Sequence, residues 1–163
     1  MTITVRAKVE GALALSPDFG EASAKIMEAF SQAFEQGTAN GEIDKIYVES
    51  INIAASTTTD YDLAGSLLDI YGLAFTPAEI AAVIVYADAA NVNNIVVGGD
   101  ANGVPIFTDK SDSIPVRPGS LFVITAGGAG IAVTASTGDI LQLANSSSGS
   151  AVTGKMIVLG RSA

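Results

Sequence analysis

From about residue 80 onward the chain repeats one device, a short apolar run closed off by a cluster of Gly, Asn, Pro or Ser. The runs read "AAVIVYADA", "NIVVGG", "VPIF", "SIPV", "SLFVITA", "GIAVTAS", "DILQLANS" and "KMIVLGRS". Runs this short are strand-sized, and strands recurring at intervals of about 8 to 12 residues with turn chemistry between them predict a sandwich or barrel. Parallel crossover folds need a helix between successive strands, and only residues 21–36 could supply a substantial one. The sequence therefore predicts an all-β, antiparallel, two-sheet sandwich of jelly-roll-like type, with one N-terminal helix.

The first half is more mixed. Ile3, Val5, Ala7 and Val9 alternate with Thr4, Arg6, Lys8 and Glu10, which predicts a strand with one apolar face. In "EASAKIMEAFSQAFEQ", residues 21–36, Ile26, Phe30, Ala33 and Phe34 recur at helical spacing, with Gly37 just past the end; this predicts a helix. Phe30 and Phe34 would also share a face of a strand, so extended structure is the alternative. "GTANGE" (37–42) is a turn, "KIYVESINI" (45–53) a strand, and "STTTDYDLAG" an edge strand whose acids discourage stray pairing. Pro77, with Thr76 before it as a cap, opens a turn of helix or a loop. "ANSSSGSAVTG" (144–154) predicts a flexible loop between paired strands. At 163 residues the expectation is a single sandwich domain, 1–163, with 1–40 as an N-terminal arm or anchoring segment.

Function classes are narrowed mainly by what the chain lacks. It has no Cys and no His, which removes disulfides, thiolate metal sites, cysteine nucleophiles and the usual neutral-pH proton shuttle. Its net charge is −9, with twelve acids and four bases in residues 1–82. Such a surface repels nucleic acid, and no Lys/Arg stripe interrupts it. The longest apolar run, "IAAVIVYA", falls short of the roughly 20 residues a membrane helix needs. The N-terminus alternates where a secretory signal would be continuously apolar, so the expectation is a chain that stays in the compartment that made it. Charged residues are 15% of the chain, against about 25% in typical soluble domains. Part of the surface is expected to be covered by a partner.

Candidate chemistry is sparse. "NVNNIVVGGDANGVPIF" (91–107) invites a phosphate-loop reading, but it lacks the Lys and the following helix that such a loop requires. Asp100 and Asn102 begin a calcium-loop pattern that Val104, Pro105 and Ile106 end; a looser site near Asp100, Asp109 and Asp112 is weighed against a plain hairpin reversal. Asp60 and Asp62 share one face of a strand, which suits solvent better than the flanking of a substrate. Ser and Thr are abundant, but no nucleophile elbow and no His base accompanies them. Phe30, Phe34, Tyr47, Tyr71, Phe75 and Phe122 are read as core residues before ligand platforms. No catalytic, cofactor-binding or metal residue is assigned, and no enzyme is expected.

Four stretches, "TTDYDLAGSLLDIYG" (58–72), "ADAANVNNIVVGG" (87–99), "SIPVRPGSLFVITAGGAG" (113–130) and "AVTASTGDILQLANSSSGSAVTGKMIVLG" (132–160), give the chain from about residue 57 a resemblance to small bacteriophage virion proteins that accompany the head. The resemblance implies a capsid decoration or cement protein. Its partners would be the major capsid protein and further copies of itself, a trimer first, and its location the capsid exterior. An adhesion or carbohydrate-binding sandwich, and a tail or head-joining component, are the alternatives. Residues 1–40 are expected to supply the anchoring contact.

Overall fold

A computed structural model describes residues 2–15 and 22–163. Residue contacts divide the chain into two units, Met1–Glu35 and Gln36–Ala163.

The first unit is a two-stranded antiparallel ribbon of β1 (Thr2–Leu15) and β2 (Ala22–Gln36). Its register runs without interruption from Thr2 opposite Glu35 to Leu15 opposite Ala22. The helix expected over 21–36 is thus corrected: residues 22–36 are strand, and residue 21 lies outside the described residues. The reason lies in the spacing. Ile26, Phe30 and Phe34 are four apart, and a step of four repeats one face of a helix and one face of a strand alike. Pairing with β1 decides between the two, overriding the helical preference of Ala, Glu, Lys and Met in this segment. Opposed residues share a face, so Ile3, Val5, Ala7 and Val9 join Ile26, Glu28, Phe30, Gln32 and Phe34 on one side. Thr4, Arg6, Lys8, Glu10, Lys25 and Ser31 occupy the other, together with Met27, Ala29 and Ala33.

The second unit holds β3 (Glu42–Ile43), β4 (Lys45–Ile53), β5 (Thr58–Asp62), β6 (Glu79–Ala87), β7 (Ile95–Gly98), β8 (Ser113–Val116), β9 (Leu121–Thr125), β10 (Ile131–Ala132), β11 (Ile140–Asn145) and β12 (Val152–Arg161). A five-stranded sheet runs β10-β6-β12-β4, with β9 also on β6; a four-stranded sheet runs β5-β11-β7-β8. All the strand pairs within them are antiparallel. Alternation on the strands puts Tyr47, Ile51, Ile53, Val83, Val85, Met156 and Val158 of the first sheet in one core with Tyr61, Ile95, Val97, Leu141 and Leu143 of the second. The chain is an all-β sandwich with no helix among the described residues.

Two close approaches require glycine. A Cβ on Gly154 would fall onto the carbonyl oxygen of Tyr86, its neighbour on β6, and lie 3.1 Å from Ile95 Cδ1 of the opposite sheet. Gly98, at φ +92°, leaves room for the Phe107 ring. Several boundaries differ from expectation. "VPIF" is not a strand: Ile106 N–H donates to Val104 C=O at 2.7 Å, closing a tight turn that still buries Val104 and Ile106. Of the two expectations at Pro77, a turn of helix or a loop, residues 76–78 form the loop. The serine-rich segment does not join paired strands, because β11 and β12 lie in different sheets.

Candidate functional site

The acidic loops come first. Asp100 Oδ1 accepts the Asn102 N–H at 2.7 Å, and Asp109 Oδ1 accepts both the N–H and the hydroxyl of Ser111 at 2.9 and 2.7 Å. Those two bonds hold the fully exposed Asp109 carboxyl below its ordinary pKa. Asp112 Oδ2 accepts the Asp109 N–H at 3.2 Å. Each carboxylate thus closes a local turn. An open depression of about 390 Å³ is lined by Ala101, Thr108, Asp109, Lys110 and Ser111, and the Lys110 ammonium donates to the Thr137 carbonyl beside it. Among the described residues no three acidic side chains gather as a cation site would require.

Asp60 and Asp62 do share the exposed side of β5. Asp60 accepts from Gln142 Nε2 at 2.8 Å, directly across the ladder on β11, while Asp62 accepts the Ala64 N–H at 3.0 Å. Gln142 also approaches Asp100 at 3.5 Å, so one amide steadies two carboxylates. Its place opposite Asp60 depends on long-range register and is invisible in the local sequence.

Of the six aromatics read as core, Phe34, Tyr47 and Phe75 are buried and Phe122 packs against the core. Tyr47 stacks 5.4 Å from Phe75 and 6.2 Å from Tyr61, and its hydroxyl donates to Glu49 Oε2 at 2.8 Å. Burial, then the Glu49 bond and charge, raise the Tyr47 pKa above its ordinary value. Phe30 and Tyr71 are the departures, at 67% and 68% exposed.

Exposed apolar surface is where the molecule is unusual. On the ribbon, Val9, Ile26 and Phe30 are each more than half exposed on the same face. On the outer side of the five-stranded sheet, Val48, Ile157, Ile84 and Val123 stand directly opposite one another across four strands. Val48 and Val123 of that row are 48% and 41% exposed. A third display is the 67–75 loop, where Leu68, Ile70, Tyr71 and Leu73 point outward. Asp69 turns inward beneath them and accepts the Tyr71 and Leu73 N–H groups at 2.8 and 2.9 Å. Such surfaces suit docking to another macromolecule and supply no acid, base or nucleophile.

No family model, curated protein or solved structure matches the chain.

Proposed function

We propose that the chain is a structural protein of a bacteriophage particle, a decoration protein that docks on the outer face of a shell of major capsid protein and reinforces it. The observation that carries this reading is the ribbon of the first unit, where Val9 at 54%, Ile26 at 51% and Phe30 at 67% are left exposed on one face, alongside Glu28 and Gln32. A two-stranded ribbon is marginal alone in water and gains stability when its apolar face is covered. Residues 1–40 are the anchoring segment in this reading, and the jelly-roll-like sandwich is the reinforcing body. Low charge over such surface favours broad, repeated, individually weak contacts, which a lattice multiplies through avidity. Copies associate, with a trimer on shell threefold positions the leading arrangement.

The test mixes purified protein with expanded, undecorated capsids. Saturable addition and a raised disruption threshold are expected, both reduced by Phe30→Ser. An unchanged threshold at saturating protein rejects the reading.

A further inference from the structure

We propose that the outer edge of β1 is a self-association site, where two copies pair their β1 strands antiparallel about a two-fold axis at Val9 and fuse two ribbons into one four-stranded sheet. Among the described residues β1 pairs on one side only, with β2. Its other edge offers a row of unpaired N–H and C=O groups about 40 Å long at roughly 3.3 Å per residue. Two devices that protect such an edge are missing, since β1 contains no proline and its ladder with β2 has no bulge, and Arg6 to Ala12 are all exposed; the charges that remain, Arg6, Lys8 and Glu10, select the partner strand instead of excluding every one.

One register of a second copy on this edge sets opposite charges face to face without a like-charged pair. Antiparallel pairing keeps the apolar faces together only if the two opposed residue numbers have an even sum. With the sum at 18, Val9 faces Val9 of the other copy, Lys8 faces Glu10 and Glu10 faces Lys8, while Ala7 meets Gly11 and Arg6 meets Ala12. Residues 3–15 are then paired throughout. Moving the axis to Lys8 or Glu10 sets like charges on it, and moving it to Ala7 opposes Arg6 to Lys8 twice. Opposite charges facing across strands stabilise a pair and like charges destabilise it. Lys8 and Glu10 now form an exposed ion pair within one strand, and both remain free to face a partner. Pairing also joins two marginal two-stranded ribbons into one wider sheet. The site does not depend on shell binding; in a trimer, each of three edges would pair with a neighbouring trimer.

The 163-residue chain, which has no cysteine, makes the register directly readable. Val9→Cys is expected to give a disulfide-linked dimer on a non-reducing gel under mild oxidation, because opposed strand residues lie within disulfide reach. Val5→Cys, eight residues from its own symmetry mate in this register, is expected to give none. Lys8→Glu alone and Glu10→Lys alone are each expected to weaken self-association about tenfold, from two repulsive pairs. Mixing the two variants restores it, since every facing pair is then opposite in charge; a loss of the ion pair within one strand cannot be rescued that way. A monomeric wild type at its highest soluble concentration, equal cross-linking at positions 5 and 9, or a mixture no better than its components would each overturn the proposal. Shell addition is measured separately, so failure of one assay leaves the other intact.

Discussion

Asn93 Nδ2 donates to Asn145 Oδ1 at 2.9 Å, and both side chains are buried. The same Asn93 amide donates to the carbonyls of Ser147 and Ser150, and Asn145 Nδ2 donates to Ile53, Ala54 and Ser150. The serine-rich crossing between the sheets is therefore held from beneath by two amides. Asn93→Ala is expected to leave the Asn145 oxygen with only the longer bond from the Ser147 N–H at 3.3 Å, at a cost of about 1 kcal/mol. Denaturant unfolding measures that loss. Hydrogen exchange should show faster opening at the amides of Ser56 and Ser146, which bond to Ser147 and Asn94.

Gly154→Ala is expected to destabilise the sandwich by about 1–3 kcal/mol or more, because the new methyl has no space between the Tyr86 carbonyl and Ile95. Gly128→Ala is the control, since nothing lies near that position and its φ is not positive. Its thermal midpoint should stay close to that of the unmodified chain.

Alkaline pH should unfold the protein through Tyr47 and Tyr61. Both phenols are raised above their ordinary pKa, mainly by burial and then by the charge of Glu49, which also accepts the Tyr47 hydroxyl. Above about pH 10 the unfolded chain releases these protons while the folded chain keeps them. Fewer protons bound in the unfolded state means that stability falls as pH rises, and it is unaffected below that window. Tyr47→Phe should flatten the slope of unfolding free energy against pH, at a neutral-pH cost of about 1 kcal/mol for the lost hydrogen bond.

Asp69→Ala should loosen the 67–75 loop, because the carboxylate alone holds the Tyr71 and Leu73 N–H groups from within. Hydrogen bonds to a charged acceptor are worth about 1.5–3 kcal/mol. Tyr71→Ala, by contrast, removes an exposed ring and should shift stability by less than about 0.5 kcal/mol. Chemical unfolding of the two variants side by side measures the difference.

What the sequence reveals of this fold follows from how local each signal is. "KIYVESINI" coincides with β4 because its alternation is set within nine residues. "VPIF" fails because a turn that buries Val104 and Ile106 has the composition of a core strand. The 21–36 segment misleads through its spacing of four, and only the ladder with β1 resolves it. The acidic candidates Asp60, Asp100, Asp109 and Asp112 are visible as residues, yet their partners Gln142 and Ser111 decide what they do. The exposed row from Val48 to Val123 is hidden for a different reason. Four strands distant in sequence each contribute one residue, and such residues look like ordinary strand interior until register aligns them.

The place of β12 has a consequence for synthesis. It lies between β4 and β6, and Ile157 contacts both in the ladder. A nascent chain that has already released Ala87 still lacks the strand joining those two, and the next 74 residues take on the order of 4–15 s at about 5–20 residues per second. During that interval β4 and β6 each offer an open flank to chaperones or to neighbouring polysomes. Truncated products ending before Val152 should accumulate as insoluble material, and ribosome stalling in the serine-rich crossing should be unusually harmful.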